Sequence, residues 1–211
     1  GPLMAAADEF SIEITGYGGH AARPHLTVDA TMVGAQVLTA LQTIVARNVD
    51  PVESAVISVT QMHAGDAFNV IPQVARLAGT ARTLSPQVRD LVEKRMAEVV
   101  ELTARAHGAS ADFQYHRKYP VVVNHPAQTD FAARIARDVA GEGRVDTNTP
   151  PIMGGEDFAF MLNARPGAFI FVGNGDTAPV HHPEYDFNDE VIPTGCSYWV
   201  RLAETALPLA G

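Results

Sequence analysis

A single cysteine, Cys196, excludes an intramolecular disulfide and suits a reducing compartment. Long apolar runs are missing as well: nothing approaches the ~20 residues that a membrane-spanning helix needs. No basic segment followed by an apolar run opens the chain, so the reading includes no signal peptide and places the protein in the cytoplasm. Positive charge is also scarce. Fifteen Lys and Arg face 24 Asp and Glu, a net charge of −9, and without a basic stripe to neutralise phosphates the expectation is no nucleic-acid partner and no membrane partner. What remains is an ordinary globular balance, 46% hydrophobic and 18% charged over 211 residues, enough to bury a core. At one domain per ~150 residues, the length leaves room for one or two domains.

From Glu9 to Thr15 apolar Phe10, Ile12 and Ile14 alternate with Ser11, Glu13 and Thr15, the period of a half-buried strand. A glycine-rich loop, Gly16 to His20, follows, and Thr27 or Asp29 can cap a helix whose apolar positions Val33, Val37, Leu41, Ile44 and Val45 run to about Asn48. Ser54 to Met62 and Val74 to Arg82 read as two further strands separated by Gly65-Asp66 and an Asn69-Val70-Ile71-Pro72 turn. Pro86, after Ser85, starts a second amphipathic helix that stops near Gly108, and Ala111 to Tyr119 completes the set as a fourth strand. The order β-α-β-β-α-β is that of an α+β ferredoxin-like domain, placed over residues 8–118. Residues 119–211 follow a different pattern: a helix near Pro126 to Val139, one short apolar strand at 168–172, a His-rich loop, and a last helix from Pro193 to about Ala206. One strand makes a poor α/β core, so this stretch reads as the C-terminal piece of a larger α/β domain.

Eight histidines are present, and four of them lie in two loops: His20 and His25 in the first, His181 and His182 in the second. His63, His107, His116 and His125 read as ordinary surface or core residues. Around His181 the run to Glu190 adds Glu184, Asp186, Asn188, Asp189 and Glu190, side chains that complete or orient metal sites. No H-E-x-x-H, C-x-x-C or EF-hand spacing accompanies them, so the loop reads equally as a solvated acidic turn. Gly154 and Gly155 precede a candidate helix and permit either close anion approach or a plain capping turn. The glycines at 16, 18 and 19 miss the G-x-G-x-x-G spacing, which argues against a nicotinamide cofactor, and neither a G-x-S-x-G elbow nor a nucleophilic cysteine is evident.

Six motifs, in this order, carry a resemblance: residues 1–10, Gly18-Gly19-His20-Ala21-Ala22-Arg23-Pro24-His25, Phe68-Asn69-Val70-Ile71-Pro72, Gly79-Thr80-Ala81-Arg82, Gly155-Glu156-Asp157-Phe158 and His181-His182-Pro183. Together they resemble the M20 metallopeptidase family, and within it the branch of hippurate hydrolases, N-acyl amino acid amidohydrolases and auxin-conjugate hydrolases. The resemblance implies a catalytic α/β domain that binds two divalent metals, drawn from zinc, manganese, nickel and cobalt, with an inserted lid or dimerisation domain corresponding to 8–118. It also implies site roles: His20 as the lid histidine that stabilises the oxyanion in the partner subunit's active site, Asn69 in substrate positioning, Arg82 on the substrate carboxylate, Gly154 and Gly155 near substrate, and His181 as a metal ligand. The expected substrate is an N-acyl amino acid, and the expected assembly is a homodimer through the lid. The family's other metal ligands and its catalytic glutamate belong to an N-terminal part of the catalytic domain that these residues do not match. The chain is therefore expected to begin mid-protein and to be inactive alone; the alternative is a non-catalytic dimerisation or binding module.

Overall fold

The computed structural model describes residues 1–208. The chain forms two compact units, one of residues 2–122 and 151–160, the other of residue 1, residues 123–150 and residues from 161 onward. In the first unit β1 (Pro2–Met4) and β2 (Ala6–Thr15) lead to β3 (Gly19–His20), α1 (Ala30–Arg47), β4 (Ala55–Ala64), β5 (Val70–Ile71), β6 (Val74–Thr83), α2 (Pro86–Ala106) and β7 (Ser110–Tyr119), with β8 (Val122–Val123) pairing with β1. The main sheet is antiparallel with strand order β4-β6-β2-β7.

Alternation decides which face is covered. Phe10, Ile12 and Ile14 of β2 and Ala75, Leu77 and Ala81 of β6 are buried, in one core with Val33, Val37, Leu41 and Ile44 of α1 and Val92, Met96 and Val100 of α2. Each of the Phe, Ile, Leu, Val and Met side chains contributes roughly 1.5–3 kcal/mol through removal from water. Both helices start on chemistry legible in the sequence. Asp29 accepts hydrogen bonds from the Thr31 and Met32 N–H groups at 2.9 and 3.2 Å, and Ser85 Oγ accepts from Val88 N–H at 3.2 Å ahead of Pro86. After α2, Gly108 takes φ +79°, a conformation that a side chain disfavours.

Gly79 sits in β6 opposite Phe10 and Val59. A Cβ there would lie 2.0 Å from the Ser58 carbonyl oxygen and 2.6 Å from the Phe10 ring, so the glycine makes the room that the ring occupies. Gly79→Ala is expected to cost about 1–3 kcal/mol, as an overpacked core does; urea unfolding followed by circular dichroism measures it.

In the second unit α3 (Pro126–Ala140) and α5 (Ile192–Ala206) pack together, with Ala132, Ile135 and Tyr198 buried and Arg201 3.7 Å from Asp138. α4 (Phe158–Ala164) is short. The strand expected at 168–172 does not form among the described residues. A ladder needs a neighbouring strand, and in its place the Asn124 carboxamide donates to the Phe169 carbonyl at 2.8 Å and accepts from the Phe169 N–H at 2.7 Å. Beside it the His125 N–H donates to the Gly167 carbonyl, and the Gly167 N–H donates to His125 Nδ1. No described helix is long and apolar enough to cross a membrane.

Candidate functional site

The expected turn at 69–72 and the glycine loop at 16–20 are joined in a ribbon that period-2 reading could not reveal, because each strand has only two residues. β3 pairs with β5, with Gly19 opposite Ile71 and His20 opposite Val70. The Ala21 N–H extends the pairing to the Asn69 carbonyl at 3.0 Å. Gly18 permits the approach, since a Cβ there would stand 2.8 Å from the Ile71 carbonyl oxygen. His20 and Asn69 are thereby brought together on an exposed projection. The His20 Nδ1 accepts the Ala22 N–H at 3.1 Å, which fixes the ring and leaves Nε2 as the nitrogen that carries the proton in the neutral form.

Arg82 lies elsewhere in the same unit, on the sheet face opposite the helices, in line with Arg76 and Thr80. Its Nη1 donates to Thr80 Oγ1 at 2.5 Å and to the Ala81 carbonyl at 3.3 Å. No salt bridge holds it among the described residues, so its charge is not neutralised by a protein carboxylate. Gly154 and Gly155 run beside β1 and β2: the Ala5 N–H donates to the Gly154 carbonyl at 2.9 Å, and a Cβ on Gly155 would come within 2.6 Å of the Ala7 Cβ. Glu156 Oε1 accepts the Phe158 N–H at 3.2 Å, the arrangement of a capping turn.

His181 belongs to the second unit, in a loop tied down by side chains. Asn174 donates to the Asp186 carbonyl at 2.9 Å and accepts from the Asn188 N–H at 2.8 Å. The His182 ring is engaged locally, its Nδ1 accepting the Glu184 N–H at 3.1 Å. The His181 ring has no such partner among the described residues, and its backbone takes φ +70°, a left-handed conformation uncommon outside glycine. No group of three or more His, Cys, Asp or Glu among the described residues could hold a metal ion. His181 and the acidic side chains after it do not fit a metal site by themselves.

One polar cluster escaped the sequence reading. Asp8, 1% exposed, sits on the helix-facing side of β2. Its carboxylate takes two hydrogen bonds from Arg89 of α2, at 2.8 and 2.5 Å, one from the Tyr115 hydroxyl at 2.8 Å and one from the Lys118 N–H at 3.0 Å. Burial pushes the carboxyl upward, but those hydrogen bonds and the Arg89 charge outweigh it and hold Asp8 below the ordinary carboxylate range. Burial, reinforced by the bond to Asp8, pushes the Tyr115 hydroxyl up. The signal was an acid two residues before Phe10, in phase with the apolar face.

Peptidase family M20/M25/M40 matches residues 12–205. This chain belongs to the M20 family. YhaA of Bacillus subtilis is 44% identical over 210 residues, covering 97% of this chain and 53% of that protein. The hippurate hydrolase of Campylobacter jejuni is 34% identical over 203 residues, 96% of this chain and 53% of its own length. Among solved structures, the Bacillus subtilis YXEP protein, a dinuclear metal-binding peptidase of the M20 family, superposes with a TM-score of 0.77 at 30% identity, over all of this chain and 52% of that one. This M20 chain thus spans about half the length of the relatives it matches.

Proposed function

We propose that this chain is the lid and C-terminal catalytic portion of a metal-dependent amidohydrolase that cleaves the amide bond of N-acyl amino acids. The observation that carries the proposal is the β3–β5 ribbon, which presents the His20 ring, fixed through Nδ1, beside Asn69 on an exposed projection. A neutral imidazole held in this way keeps an N–H donor for an oxygen that becomes negative as an amide carbonyl is attacked. Asn69 positions the substrate, and Arg82, a cation without a carboxylate counterion among the described residues, suits the substrate carboxylate. The names of the relatives, a hippurate hydrolase and an N-acetylcysteine deacetylase among them, support this substrate class.

Strand order β4-β6-β2-β7, with both helices on one face, supports reading the first unit as the ferredoxin-like lid. Its edge strand β4 and helix α1 are the surfaces proposed to meet a second copy, which would cover an open strand edge. Exposed Phe171, Val172, Trp199 and Val200 in the second unit support the view that further catalytic-domain chain covers it. His181, with its left-handed backbone and a ring that has no hydrogen-bond partner among the described residues, is the residue proposed to serve as a metal ligand there. A non-catalytic dimerisation module is the second reading, favoured by the want of a metal-binding cluster among the described residues.

The 211-residue chain alone is expected to show no amidase activity and at best weak zinc or manganese binding by calorimetry, while the intact enzyme hydrolyses N-acyl amino acids. Tight uptake of two metal ions by this chain, together with hydrolysis, is the result that overturns its proposed dependence on the rest of the catalytic domain. An intact protein that is inert toward every N-acyl amino acid favours the module instead.

A further inference from the structure

Phe68 stands out among the side chains that the proposed chemistry leaves unused. It is fully exposed, at 112% of the reference area, although a buried phenyl ring is among the strongest sources of stability available to a chain. It immediately precedes Asn69, in the turn that enters β5. Val70, 52% exposed, is the cross-strand partner of His20, so the two side chains lie on the same face of the ribbon. Phe68, Val70 and Pro72 line one cleft, together with Thr31 at the start of α1 and Asp66. Val70 thus links the apolar side of this cleft to the imidazole proposed to meet the reacting carbonyl, although His20 itself does not line the cleft.

In an N-acyl amino acid the two substituents flanking the scissile amide differ in kind. The amino acid side carries a carboxylate, which calls for a cation. The acyl side can be wholly apolar and calls for hydrophobic surface. Arg82, which lies elsewhere in the first unit, is the cation proposed for the first requirement, supplied by the copy opposite the one that contributes His20 and Phe68. Among the described residues no charged group other than Asp66 lines the cleft that Phe68 bounds. We infer that Phe68, backed by Val70, is the acyl-side specificity surface of the active site that His20 serves, and that it selects bulky apolar or aromatic acyl groups over acetyl. The inference rests on the proposed amidohydrolase function and adds the substrate's acyl class to it.

The test uses the intact enzyme with benzoyl-glycine and acetyl-glycine as paired substrates. Phe68→Ala is expected to lower the ratio of kcat/KM for benzoyl-glycine over acetyl-glycine by about tenfold or more, since contact with a few apolar carbons separates substrates by that much. Phe68→Leu, which keeps an apolar side chain, is expected to restore part of the ratio. Because the ring is solvent-exposed, the thermal midpoint should stay at the wild-type value, so a changed ratio reports on substrate contact and not on folding. A ratio within about twofold of wild type in Phe68→Ala overturns the inference. So does a parallel loss on both substrates, which would indicate a merely structural turn. A wild-type enzyme that hydrolyses neither substrate nor any other N-acyl amino acid removes the amidohydrolase reading itself, an outcome distinct from an active enzyme with an unaltered ratio.

Discussion

His20→Ala in the intact enzyme is expected to lower kcat by about a hundredfold or more with metal content unchanged, the loss that follows removal of one oxyanion donor, ~3 kcal/mol. The expectation follows from geometry. The ring is exposed, so its removal leaves no cavity, and its Nδ1 is already occupied by the Ala22 N–H. If His20 only braced its glycine-rich loop, the variant would be less stable but would turn over normally in its folded fraction; kcat per folded molecule, with metal analysis, separates the two. Because the donor is proposed to serve the opposite subunit, a mixture of His20→Ala with a metal-ligand variant should give hybrid dimers with one competent site. Confirmed heterodimers without any recovered activity would show that His20 acts within its own subunit or not at all.

Asp8→Ala is expected to destabilise the first unit by about 3–5 kcal/mol, because it strands the Arg89 guanidinium in a largely buried position without its counterion. Adding Arg89→Met should recover part of that loss, since removing both charges is milder than removing one; a double-mutant cycle by urea unfolding reads the coupling. The pH dependence has a definite sign. Asp8 is held below its ordinary value, so the folded state binds this proton more weakly than the unfolded chain does. Its contribution is complete above the unfolded carboxyl pKa of about 3.9 and fades as pH falls through the lower folded value. Asp8→Asn should therefore lose less stability than wild type between about pH 5 and pH 2. Equal acid sensitivity in the two proteins would mean that Asp8 does not govern acid unfolding.

The six longer elements from β2 to β7 were legible for different reasons: β2 alternates, β4 is rich in β-branched residues between turn signals, and α1 and α2 repeat their apolar positions over about five turns. The β3–β5 ribbon was not legible, since two residues carry no period and the pairing joins positions about fifty residues apart. Nor could composition show that Ala168 to Val172 lacks a ladder here, because an apolar run states a preference for a sheet without supplying the neighbouring strand. The candidate site divides in the same way. His20, Asn69 and Arg82 are proposed through a resemblance, whereas the carbonyl of Asn69 that joins the two loops became visible only with the fold. Asp8 is missed because alternation in the sequence marks the first strand only from Glu9, three residues after its observed start at Ala6 and just past the acid on its apolar face.

The pairing of β2 with β7 skips Lys118: Ala7 faces Tyr119, and Asp8 faces Arg117. The extra residue would leave an N–H without a ladder partner, and that N–H is the one the Asp8 carboxylate captures. A one-residue slip of β7 would exchange its two faces and also unseat the Lys118 N–H from Asp8. The buried acid therefore works as an alignment pin: another offset of these two strands would take the Tyr115 hydroxyl and the Lys118 N–H away from a carboxylate that water cannot reach, which favours one threading among those that hydrophobicity alone would tolerate.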